Sequence, residues 1–112
     1  MTDTTALREL LAKVMAGQYS DQTWLVWHDL YAPREWKIPS ERAQNAFCGN
    51  LSAAAGLAEN LIPGWHWGMD DVGANVYLGA AHRPKAIFSA KGEPARALLI
   101  CIIEAMIWDA GQ

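Results

Sequence analysis

The sequence predicts a mixed α+β domain: a short three-stranded antiparallel sheet layered with α-helices as an α-β-α sandwich, in the order α-α-α-β-β-β-α. Three observations carry that expectation. Apolar residues recur at helical spacing from Ala6 to Ala16 and again from Leu51 to Ile62. The period then becomes alternating at Trp65, Trp67 and Met69, followed by turn residues. Finally, Pro94 opens a run that is apolar on nearly every helical face. With 112 residues the chain suits a single domain spanning residues 1–112, and 52% hydrophobic with 19% charged residues excludes an intrinsically disordered one.

In chain order, the first helix covers Ala6 to Ala16, with Leu7, Leu10, Leu11, Val14 and Met15 at helical spacing, Thr4 or Thr5 as cap and Gly17 as stop. From Gln18 to Trp36 the pattern admits two readings. One is a short helix capped by Ser20 or Asp21, with Trp24, Trp27, His28 and Tyr31 on one face and Pro33 ending it. The other is a loop or short strand. Pro39 and Ser40 lead into a variable segment through Gly49. Asn50 then caps a helix whose Leu51, Ala54, Ala55, Ala58, Leu61 and Ile62 share one face, and Pro63-Gly64 ends it.

Strands are expected at Trp65 to Met69, Ala74 to Leu78 and around Ala86 to Ala90. Asp70-Asp71-Val72-Gly73 makes the first turn, and a loop from Gly79 to Lys85 separates the second and third strands. Lys91-Gly92-Glu93 turns the chain into a last helix from about Pro94 to Ala110, with Pro94 in its first position. That helix must be covered on more than one side, by another helix of the chain or by a second subunit. Ile100 and Trp108 lie outside its main apolar arc and are the candidates for self-association.

Composition narrows the function classes. The formal net charge is −3 and the nine basic residues are scattered, the nearest thing to a patch being Arg83-Pro84-Lys85, so a general nucleic-acid binder is disfavoured. No basic n-region precedes an apolar run at the start, and the stretch Ala97 to Trp108 is interrupted by Glu104 and is far shorter than the ~20 residues that cross a bilayer. Cys48 and Cys101 lack C-x-x-C spacing and read as small buried thiols in a reducing compartment. A cytoplasmic protein with no membrane association is expected.

Catalytic patterns are weak. His28, His66 and His82 show no metal-ligand spacing, and no metal or cofactor is expected. Asp70-Asp71 fits turn hydrogen bonding better than paired-carboxylate chemistry. Glu104 either marks the one wet edge of the last helix or, if buried, is a functional candidate with a raised pKa. The serines lack a nucleophile-elbow context, Cys48 lacks a readable partner, and Gly64 and Gly68 do not form a phosphate loop.

The aromatics are more informative. Trp65 and Trp67 belong to a strand facing the core. Trp24, Trp27, Tyr31, Arg34 and Trp36 cluster in the segment with the least core-like pattern. Residues of those types anchor protein interfaces, so these five are the candidate protein-binding residues. Packing of a short helix onto the sheet competes with that reading. A stacking platform for single-stranded nucleic acid is a third option, disfavoured by the acidic charge.

The run Leu51-Ser52-Ala53-Ala54-Ala55-Gly56-Leu57-Ala58-Glu59-Asn60-Leu61-Ile62-Pro63-Gly64-Trp65-His66-Trp67 resembles part of a group of bacteriophage and prophage proteins that carry the phage ABA sandwich domain. Pro94 to Ile102 resembles the alanine- and leucine-rich last helix of that family, and Leu7 to Lys13 its first helix, whereas Gln18 to Gly49 departs from it. The resemblance implies helices on a short antiparallel sheet and a phage or prophage origin. It implies no catalytic residues. The leading expectation is an accessory protein that binds a host or phage protein, such as a host defence or regulatory factor. A self-associating structural or virion-assembly protein is the alternative, and a small enzyme or ligand binder with a pocket between helices and sheet is the third.

Overall fold

The structure, a computed structural model, describes residues 4–18 and 37–112. Among these residues lie four helices and a three-stranded antiparallel sheet in the expected order α-α-α-β-β-β-α. The helices are α1 (Thr5–Met15), α2 (Lys37–Phe47), α3 (Leu51–Leu61) and α4 (Pro94–Ala110); the strands are β1 (His66–Asp70), β2 (Gly73–Ala80) and β3 (Arg83–Lys91). The short helix considered between Ser20 and Tyr31 lies outside the described residues.

Helix α1 buries Leu7, Leu10 and Val14, the face its spacing predicts. Thr4 occupies the cap position without capping: its Oγ1 accepts the Arg8 Nε–H at 2.9 Å instead. The helix stops where Gly17 turns to φ +74°, with Gly17 N–H donating to Val14 O and Gln18 N–H to Lys13 O. This paired arrangement is the Schellman closure, which needs a residue free to adopt positive φ.

Helix α2 occupies most of the segment read from sequence as variable, and this is a correction. Its buried residues are short ones, Ser40, Ala43 and Ala46 beside Pro39, so a buried face exists with little apolar bulk to announce it. Pro39 fits because a first-turn residue needs no N–H partner within the helix. Gly49, at φ +101°, closes α2 with the same Schellman pair: Gly49 N–H donates to Ala46 O and Asn50 N–H to Asn45 O. Asn50 then caps α3 directly, its Oδ1 accepting the Ala53 N–H at 2.9 Å. Helix α3 buries Ala54, Leu57 and Ala58, so its inner face is rotated from the expected one to take in Leu57 and leave Leu51 half-exposed.

The sheet is a meander, β1-β2-β3. Its inner face carries Trp67 opposite Val76, Met69 opposite Ala74, Val76 opposite Phe88 and Ala74 opposite Ala90. On the outer face His66 pairs with Tyr77 and the rings stack at 4.9 Å. The expected loop from Gly79 to Lys85 is instead a tight hairpin. Gly79 adopts φ +97° at a bulge, and pairing continues to Ala80 opposite Arg83. Pro84 is tolerated because β3 is an edge strand.

Helix α4 is the centre of the molecule. Nine of its residues are buried: Ala95, Ala97, Leu98, Leu99, Ile100, Cys101, Ile102, Ile103 and Ala105. The sheet lies against one side of it, and α1, α2 and α3 pack against it from elsewhere around its circumference. Its all-round apolar character is therefore satisfied within the chain. The outer helices layer onto α4 rather than onto the far face of the sheet, which the described residues leave uncovered at His66, Asn75, Ile87 and Ser89.

Candidate functional site

The carboxyl-terminal half of α4 and its C-cap Gly111 place Glu104, Ile107, Trp108 and Gly111 on one stripe, at the i, i+3, i+4, i+7 spacing that shares a helix face. Facing it are Arg8 and Leu11 of α1 and Phe88 of β3. With Gln112 these residues line a groove of about 540 Å³. It lies between helices and sheet, where the sequence reading placed a pocket for its ligand-binding alternative.

The walls are held by aromatic packing. Trp65 stacks on Phe88, with ring centroids 6.2 Å apart, and meets Trp108 edge-on at 5.7 Å and 83°. Trp65 thus bridges two groove residues, and such contacts add to the area they bury. Gln112 Nε2 donates to Trp108 O at 3.2 Å, tying the chain's last residue to the groove.

Glu104 is half-buried, and desolvation raises its carboxyl above the ordinary value of 4.5. It makes no hydrogen bond or ion pair among the described residues. The same burial acts more strongly one turn earlier. The Cys101 thiol is pushed up to about 12 by burial, with the charge of Glu104 adding to the effect, and its Sγ–H donates to Ala74 O at 3.6 Å. Cys101 is a buried, inert thiol as expected, whereas Cys48 is exposed just beyond α2, contrary to expectation.

Other sequence candidates resolve into structural roles. Asp70 Oδ1 accepts from Val72 N–H at 2.9 Å and Gly73 N–H at 3.0 Å, making the turn its spacing predicts. No group of three or more His, Cys, Asp or Glu among the described residues is placed to hold a metal ion. Ile100, a candidate for self-association, is buried in its own chain with 9% of its surface exposed. Trp108, the other, is half-buried and lines the groove. Trp24, Trp27, Tyr31, Arg34 and Trp36, the candidate protein-binding residues, lie outside the described residues, as does His28.

Sequence reasoning missed Arg8, Leu11, Phe88 and Ile107 as site residues. The stripe from Glu104 to Gly111 is legible as helical spacing, but nothing local says that α1 and β3 supply the opposite walls. No helix among the described residues is long and apolar enough to cross a membrane. No protein-family model, curated protein or solved structure matches the chain.

Proposed function

We propose that this chain is a phage- or prophage-encoded accessory protein that acts by binding another protein inside the bacterial host, a host defence or regulatory factor being the class of target. The observation that carries the reading is the run Leu51–Trp67, with its likeness to the phage ABA sandwich domain. Trp24, Trp27, Tyr31, Arg34 and Trp36 support it by composition, since large aromatics and Arg anchor interfaces. The test is affinity capture from infected host lysate with wild-type protein and a Trp24→Ala/Trp27→Ala variant as baits. A partner that is retained by wild type, lost with the variant and bound again after purification supports the proposal. Recovery of no specific partner removes it.

Self-association into a structural or virion-assembly role is the second reading. It is favoured by the outer face of the sheet, which the described residues leave uncovered and where Ile87 is 59% exposed. Sedimentation velocity showing a monomer across a wide concentration range would eliminate it.

A further inference from the structure

The geometry points to a ligand site that the protein-binding proposal does not use: the groove between α1, β3 and α4 is a binding site for a small organic amine, an ammonium group borne on an aromatic or branched apolar body. Three features of the groove converge on that chemistry.

The first is charge. Glu104 is the groove's carboxylate, and no hydrogen bond or ion pair satisfies it among the described residues. Arg8 lines the same groove from α1, yet its Nε–H is committed to Thr4 Oγ1 and no ion pair joins it to Glu104. Desolvation raises the Glu104 carboxyl, and among the described residues no cation offsets it. An ammonium group entering the groove pairs with Glu104 directly, which no described residue does, Arg8 included.

The second feature is the wall. Phe88 and Trp108 line the groove while Trp65 packs behind both, stacked on one and edge-on to the other. Aromatic rings attract an ammonium group as well as an apolar body, and rings already held by packing lose little freedom on binding. Leu11 and Ile107 complete the apolar lining.

The third is size. A groove of about 540 Å³ falls within the range of pockets that hold small organic molecules. Arg8 on the facing helix opposes a second positive charge, so a monoamine is favoured over a diamine or polyamine.

The test is a titration of the ¹⁵N-labelled full chain with phenethylamine, using 2-phenylethanol and 3-phenylpropionate as neutral and anionic controls of matched body. Phenethylamine is expected to give saturable shifts at the Trp108 indole N–H and the Gly111 amide. Replacement of Glu104 by Gln (E104Q) weakens its affinity by about tenfold or more, and both control ligands bind wild type correspondingly weakly. A Trp108→Leu variant also weakens the amine and assigns the indole signal, and the dispersion of each spectrum reports that the variant is folded. Absence of saturable shifts up to about 10 mM amine, equal affinity in the Glu104→Gln variant, or shifts located away from the groove would each overturn the assignment. Because no partner protein is present, this result is independent of the outcome of lysate capture.

Discussion

Gly73 is the residue where the sheet tolerates no side chain. A β-carbon there would overlap the Ala90 carbonyl oxygen across the β2–β3 pairing, and that atom is backbone that cannot swing aside. Gly73→Ala is therefore expected to lower stability by about 1–3 kcal/mol, the usual scale of overpacking, visible as a fall in Tm. The sequence shows Gly73 as a turn residue, which is right as far as it goes, but the close approach is decided by Ala90 of β3, seventeen residues further along. The two cysteines make a second test at this scale. At mildly alkaline pH in the native state, a thiol reagent should label exposed Cys48 and spare Cys101, which is buried and pushed up to about 12. Both thiols should react after denaturation. Equal native reactivity would show that the packing around Cys101 opens readily.

At the scale of elements, the ends are set locally and the faces are not. Glu93 caps α4 with both carboxylate oxygens, Oε1 accepting from Ala95 N–H at 3.1 Å and Oε2 from Arg96 N–H at 2.9 Å. Its charge also sits favourably at the helix amino terminus. Glu93→Ala should cost about 1 kcal/mol in a denaturant melt, with Glu93→Asp recovering part of it. The Asn50 cap and the stops at Gly17 and Pro63-Gly64 were legible because capping and glycine conformation act over a few residues. Helix α2 was not legible, because its buried face consists of small residues whose role depends on what lies opposite. Arg96 supplies one such contact: its guanidinium lies 4.0 Å from the centre of the Phe47 ring and its Nε–H donates to Phe47 O at 3.0 Å. That joins the end of α2 to the start of α4 across a separation in sequence of 49 residues. The hairpin between β2 and β3 was missed for a related reason, since Gly79 reads as loop until the strands it joins are seen to continue past it.

In the whole molecule, α4 is the element on which the other helices and the sheet converge. Leu99→Ala should therefore cost about 2–5 kcal/mol, while Ile87→Ala, at an exposed position on the outer sheet face, should change stability by no more than about 0.5 kcal/mol. Chemical denaturation of the two variants checks the contrast, and a large loss at Ile87 would mean that its face is covered in solution. The sequence by itself determined the three strands in their order, helices α1, α3 and α4, the Asn50 cap, the Asp70–Gly73 turn, the alternating orientation of Trp67 and Met69, and the need to cover α4 on several sides. These follow from periodicity and from backbone chemistry that neighbouring residues complete among themselves. Only the tertiary structure decided that the chain covers α4 itself, burying Ile100, and that α1 and β3 meet Glu104 and Trp108 across a groove. Such contacts join residues far apart in sequence, and their geometry is set by packing, which no local pattern records.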